Sequence, residues 1–147
     1  MYRHILIPCD GSRASARAAR AAVALARSTG ARVTGLFVAP PATPVVYRRL
    51  LPVDVVSPQE HAALIERTAA RVLAVVEKAA AAAGVECDAV HVTGDFPAEA
   101  IVEVARRRRC DLIFIAPHSR HDLADLLLGS QTRKVLSLAR MPVLVHR

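Results

Sequence analysis

HILIPCDGS, residues 4–12, is a strand running into a turn. His4 to Pro8 is a short, almost continuous apolar run, the pattern of a strand buried on both faces, and Pro8, Asp10 and Gly11 close it. Outward from it, residues 14–29 are rich in alanine with arginines interleaved. Ala16, Ala19, Val23 and Ala26 share one helical face, and Gly30 stops the helix. Small residues on that face predict close packing on a sheet. Residues 32–38, RVTGLFV, read as a second strand.

Residues 39–57 hold Pro40, Pro41, Pro44 and Pro52 and show no sustained period, so a loop is expected. Loops of this length in compact domains often act as lids or partner contacts. From Pro58 to Ala83 the residues Ile65, Ala69, Val72, Val76, Ala79 and Ala83 step by three or four, which predicts a long helix with one apolar stripe. Pro58 suits its first turn and Gly84 its stop. Residues 85–92 alternate loosely as a third strand. Gly94-Asp95-Phe96-Pro97 opens a helix to about Arg109, with Ala98, Ile101, Val102 and Ala105 inside. Residues 111–116, DLIFIA, are nearly all apolar, as a central parallel strand should be. After a second long connection, residues 117–129, Ser130 is expected to cap a final helix whose inner face is Thr132, Val135, Leu136 and Ala139. Residues 142–146, PVLVH, close the series as a fifth strand. This alternation predicts an α/β fold: a parallel sheet with helices on both faces and right-handed crossovers.

The chain of 147 residues, 53% of them hydrophobic, suffices for one domain spanning residues 1–147 with its own core. Cys9, Cys87 and Cys110 are odd in number and widely spaced, which argues against a disulfide framework or a zinc ribbon and suits a reducing compartment. The apolar run after Met1 is too short for a secretory signal, and no run approaches a membrane span, so a cytoplasmic location is expected. The net charge of +7 raises polyanions as partners. An aromatic content of 3% with no Trp argues against a single-strand nucleic-acid binder, which stacks bases on aromatic faces.

In open parallel sheets ligands bind beyond the carboxyl ends of the strands, where the winding reverses. Polar turn residues sit at two such ends: Pro8-Cys9-Asp10-Gly11-Ser12 and Ala116-Pro117-His118-Ser119-Arg120. Gly129-Ser130 adds a helix start, which can receive an anion or simply be capped by the Ser130 hydroxyl.

Four pieces of the chain, in order, carry a resemblance: ILIPCDGS at residues 5–12, Gly94 and Pro97 before Ile101, DLIFIAPHSRHDLADLLLGS at residues 111–130, and PVLVHR at residues 142–147. Over essentially its full length the chain resembles the universal stress proteins. That resemblance implies a doubly wound five-stranded sheet in order 3-2-1-4-5, and a homodimer built through the last strand, residues 142–146. It also implies an adenine-nucleotide site for ATP with Mg²⁺. ATP-binding members carry a Gly, two residues, a Gly, nine residues, then Gly-Ser or Gly-Thr. This chain has Ala116, Ser119, Gly129 and Ser130 there: the spacing is kept and two glycines are lost. Ser119 in a left-handed conformation would cost roughly 1–2 kcal/mol, and Pro117 removes an N–H donor. By the same resemblance Asp10 and Val38 lie on the nucleoside side. Ser119, Gly129 and Ser130 lie on the phosphate side, with Arg120 adding charge. Pro8, Ile115, Ala116 and Gln131 complete the binding set.

Three functional expectations follow: a dimeric module governed by nucleotide occupancy, a ligand-free dimeric scaffold that uses the 39–57 loop or the basic surface, and a polyanion binder. No nucleophile elbow or Ser-His-Asp order is present, so no catalysis is expected beyond, at most, slow hydrolysis of ATP if nucleotide binds. His118, His121, Asp122 and Asp125 could ligate a metal, and solvated loop residues explain them equally well. Cys9 stands near a helix start, where a thiol can be activated; an inward strand residue is the simpler reading. The arginines 106–109 suit a helix C-terminus, with an ion pair from Glu103 to Arg107. Asp10 and Ser12 read as turn formers.

Overall fold

The computed structural model describes residues 1–42, 57–117 and 128–147. Its elements, in chain order, are β1 (His4–Pro8), α1 (Arg13–Thr29), β2 (Arg32–Ala39), α2 (Pro58–Ala83), β3 (Cys87–Thr93), α3 (Pro97–Arg107), β4 (Leu112–Ile115), α4 (Ser130–Leu138) and β5 (Val143–Val145). The five strands form one parallel sheet in the order β3-β2-β1-β4-β5. β1 lies between β2 and β4, with Ile5 opposite both Val33 and Leu112. The winding reverses there, because β2 and β3 lie to one side of β1 and β4 and β5 to the other.

Strand alternation divides the core into two layers. Ile5, Ile7, Val33, Phe37, Leu112 and Phe114 face α1 and α2, whereas Leu6, Leu36, Ile113 and Ile115 face α3 and α4. Ala18, Ala19, Ala22 and Ala26 are fully buried on α1, so small side chains bring that helix close to the sheet. Gly35 does the same for α2. A Cβ there would stand 3.3 Å from Leu73 Cδ2 and from Val76 Cβ and Cγ2.

Where the helix predictions differ in detail, local geometry gives the reason. Ala16 and Val102 are half-buried rather than inside. β3 starts at Cys87 because the Val85 N–H donates to Ala80 O at 2.9 Å in the C-terminal turn of α2. Gly129, not Ser130, is the N-cap of α4; Ser130 is the first helical residue, and no side chain caps the turn. Leu136 is exposed, because α4 turns only Thr132 and Val135 fully inward. The expected 39–57 loop is described only at its ends: Ala39 belongs to β2, and Ser57 caps α2 in a capping box with Glu60.

At the opposite end of the sheet from the carboxyl ends, His4 is buried with both ring nitrogens bonded. The Arg108 carbonyl only accepts, so Nδ1 carries the proton and donates to it at 3.1 Å. Nε2 then accepts from the Thr34 hydroxyl at 2.8 Å. Burial, with Arg32 and then Arg108 nearby, lowers the His4 pKa below 6.5 against the opposing pull of the Arg108 carbonyl and Asp111. The unfolded chain therefore takes up this proton more readily than the folded one. Stability is held above about pH 6.5 and falls as the pH drops below it. The expected result is a lower unfolding midpoint at pH 5.5 than at pH 7.5, with a shallower decline in His4→Asn. Equal slopes in the two proteins would remove His4 as the cause.

Candidate functional site

A cleft of about 750 Å³ opens at the carboxyl ends of the strands where β1 meets β4. That is within the range of small-molecule sites, roughly 300–1,000 Å³. Its floor comes from Pro8 at the end of β1 with Cys9 and Asp10 beyond it, Leu36–Val38 in β2, and Ile115 and Ala116 at the end of β4. One wall is α2, through Thr68, Arg71 and Val72. The other is the start of α3, Gly94, Asp95 and Pro97, with the start of α4, Ser130–Thr132.

The β1–α1 turn is set by its own side chains. Asp10 Oδ1 accepts from the Ser12 N–H at 2.9 Å, and the Ser12 hydroxyl accepts from the Ser15 N–H at 3.1 Å. Ser15 Oγ accepts from the Asp10 N–H at 3.3 Å and donates to Ser12 O at 3.2 Å. Asp10 and Ser12 are thus turn formers, as expected. Gly11 has φ +85°, a conformation that favours glycine. Cys9 is buried, and its thiol points back to Ile7 O at 3.4 Å. Burial, followed by the Asp10 charge, pushes the thiol up to about 12, so Cys9 is a buried core residue just beyond β1, rather than within the strand as expected, and not an activated thiol.

On the far wall two helix starts are tied together. α3 has Phe96 as N-cap with no side-chain cap of its own. The Ala98 N–H instead donates to Gln131 Oε1 of α4 at 3.2 Å. The Thr132 hydroxyl donates to Ala116 O at 3.0 Å, and the Gly129 N–H to Pro117 O at 2.8 Å. α4 is therefore stapled to the end of β4.

Of the residues expected to bind nucleotide, Pro8, Asp10, Val38, Ile115, Ala116, Ser130 and Gln131 all line this cleft. Gly129 is buried behind it, with its N–H spent on Pro117. Ser119 and Arg120 lie outside the described residues, as do His118, His121, Asp122 and Asp125. Among the described residues no cluster of His, Cys, Asp and Glu is placed to hold a metal ion. Thr68, Arg71 and Thr132 were not expected at the site. Thr68 and Thr132 are polar residues at or beside inward helix positions, and that was the available signal.

The arginines 106–109 are largely spent on ion pairs. Glu103 holds Arg106 at 2.8 Å and Arg107 at 2.6 Å, and Arg108 reaches Asp88 at 3.2 Å. Hydrogen bonds from Arg106 and Arg107 draw the Glu103 carboxyl down to about 2. No described helix is long and apolar enough to cross a membrane.

The model of the universal stress protein family matches residues 1–147. A universal stress protein of Methanocaldococcus jannaschii, MJ0531, is 33% identical over 145 residues, 99% of this chain and 82% of that one. The solved structure of hypothetical protein MJ0577 is 26% identical with a TM-score of 0.80, covering 99% of this chain and 95% of that one. A universal stress protein solved in complex with cAMP superposes with a TM-score of 0.69 at 24% identity, covering 99% and 97%. An Archaeoglobus fulgidus member in complex with dAMP superposes at 0.66 with 19% identity, covering 99% and 98%. By fold, by sequence and over its whole length, the chain belongs to the universal stress protein family.

Proposed function

We propose that this protein is a dimeric stress-response module whose cleft takes an adenine nucleotide. The observation that carries the reading is the cleft at the β1/β4 reversal, which gathers Asp10, Val38, Ser130 and Gln131 around one largely apolar volume. The relatives solved with cAMP and dAMP share this fold. Asp10 and Val38 hold the nucleoside. Ser130 and Gln131 stand on the phosphate side, with ATP the expected physiological ligand and Mg²⁺ entering on its phosphates. The cleft volume and its hydroxyl and amide donors suit a nucleotide of this size. The outer edge of β5, which pairs with no other described strand and has Leu144 exposed between half-buried Val143 and Val145, is the surface for a second copy. The cytoplasm is the compartment that fits the three free thiols.

Mass spectrometry of small molecules released from native protein, with thermal unfolding in added AMP and ATP, tests the reading. Ligand at about a hundred times its Kd is expected to raise the unfolding midpoint by about 5–10 °C. No adenine nucleotide released, together with an unmoved midpoint, would end it. A ligand-free scaffold is the second reading. Two observations favour it: the Gly129 amide is already bonded within the protein, and Ala116 brings a methyl to a position that is glycine in the ATP-binding motif.

A further inference from the structure

Arg71 reaches the cleft from α2, on the face of the sheet opposite to α4. Its guanidinium comes up to the β1–α1 turn at Gly11. A Cβ there would meet Val72 Cγ2 at 3.3 Å and Arg71 Nη1 at 3.9 Å. The guanidinium therefore lies over the turn that holds Asp10, while Ser130 and Gln131 approach from the other layer. Its side chain is exposed, and among the described residues no carboxylate is paired with it. Thr68, one turn earlier on α2, lines the same wall.

A purine in this cleft presents two π faces, and a planar side chain packs well on such a face. The chain has no Trp, and the one aromatic among the described cleft residues, Phe37, is 8% exposed and committed to the core. A guanidinium is planar, weakly hydrated and cationic, so it stacks on a π face and attracts it. Lysine supplies the charge without the plane.

We infer that Arg71 is a base-recognition residue: its guanidinium closes over the purine face of the nucleoside held at Asp10 and Val38, and it contributes to the base rather than to the phosphates. This rests on the nucleotide reading above and adds a specificity-determining side chain to it.

Calorimetric titration of wild type, Arg71→Ala and Arg71→Lys with adenosine and with AMP decides the matter. Both variants are expected to weaken adenosine and AMP by the same factor, about tenfold. Unfolding midpoints of the three free proteins should agree, because Arg71 is exposed. Adenosine binding that is unchanged while AMP binding falls, with Arg71→Lys restoring it, would make Arg71 a phosphate counterion and overturn the inference alone. Affinities unchanged in both variants would overturn it too. Wild-type protein that binds neither ligand would overturn this inference, and the nucleotide reading with it if ATP also fails to bind.

Discussion

Gln131→Glu is expected to leave the free protein folded, with an unfolding midpoint unchanged or raised by up to about 3 °C, and to weaken AMP by about tenfold to a hundredfold. The substitution is isosteric and keeps an oxygen where Oε1 now accepts from the Ala98 N–H at 3.2 Å. It places a negative charge beside the first turns of α3 and α4, where partial positive charge accumulates. For capping alone, glutamate would serve as well as glutamine or better. For a phosphate at the same wall it would not. Two like charges ~4 Å apart repel by about 4 kcal/mol at an effective dielectric of ~20, and solvent in the open cleft reduces that to the ~1.4–2.8 kcal/mol of a tenfold to hundredfold loss. Adenosine has no phosphate and should bind both proteins alike. Equal losses for adenosine and AMP would take Gln131 away from the phosphate side. A large fall in midpoint would show the cap to be incompatible with a carboxylate.

Leu6→Ala is expected to lower the stability of the fold by about 2–5 kcal/mol. Leu6 is fully buried in the middle strand, in the layer it shares with Leu36, Ile113, Ile101 and Val135. β2 and β4 pair with β1 on either side, so the backbone cannot close over the space left behind. The lost transfer energy and the cavity then add. Against a total of roughly 5–15 kcal/mol for a domain, such a loss brings the protein near its unfolding threshold. Urea unfolding of the two proteins checks it. A cost under about 1 kcal/mol would mean that the layer under α3 and α4 is not packed as described.

Much of this architecture was legible in the sequence, because the signals were local. HILIP is β1 to the residue, and α2 runs from Pro58 to Ala83 as its first-turn proline and terminal Gly84 predicted. The alternation of elements predicted a parallel sheet; the order of its strands came from the resemblance, since crossovers leave no mark in a hydrophobic pattern. Local signals failed where two groups competed for one role. Gly129 and Ser130 both suit a helix start, and only the geometry gives the cap to glycine. At the cleft, Asp10 was visible as a strand-end residue, and Val38 came from the resemblance. Arg71 was not, because a helix read for its apolar stripe says nothing of what leans over its edge. The Gln131 bond to Ala98 joins residues 33 apart in the chain, and no spacing rule announces it.

The buried thiols give the molecule an internal clock. Cys9 lies under α1 and α2, and Cys110 in the layer with α3 and α4; burial holds them near 12 and 11 respectively. An alkylating reagent consumes a thiol only as thiolate and only when it can reach it. Each label acquired at Cys9 or Cys110 therefore records an opening of its own layer, and the ratio of the two rates tells whether the layers part together or in turn.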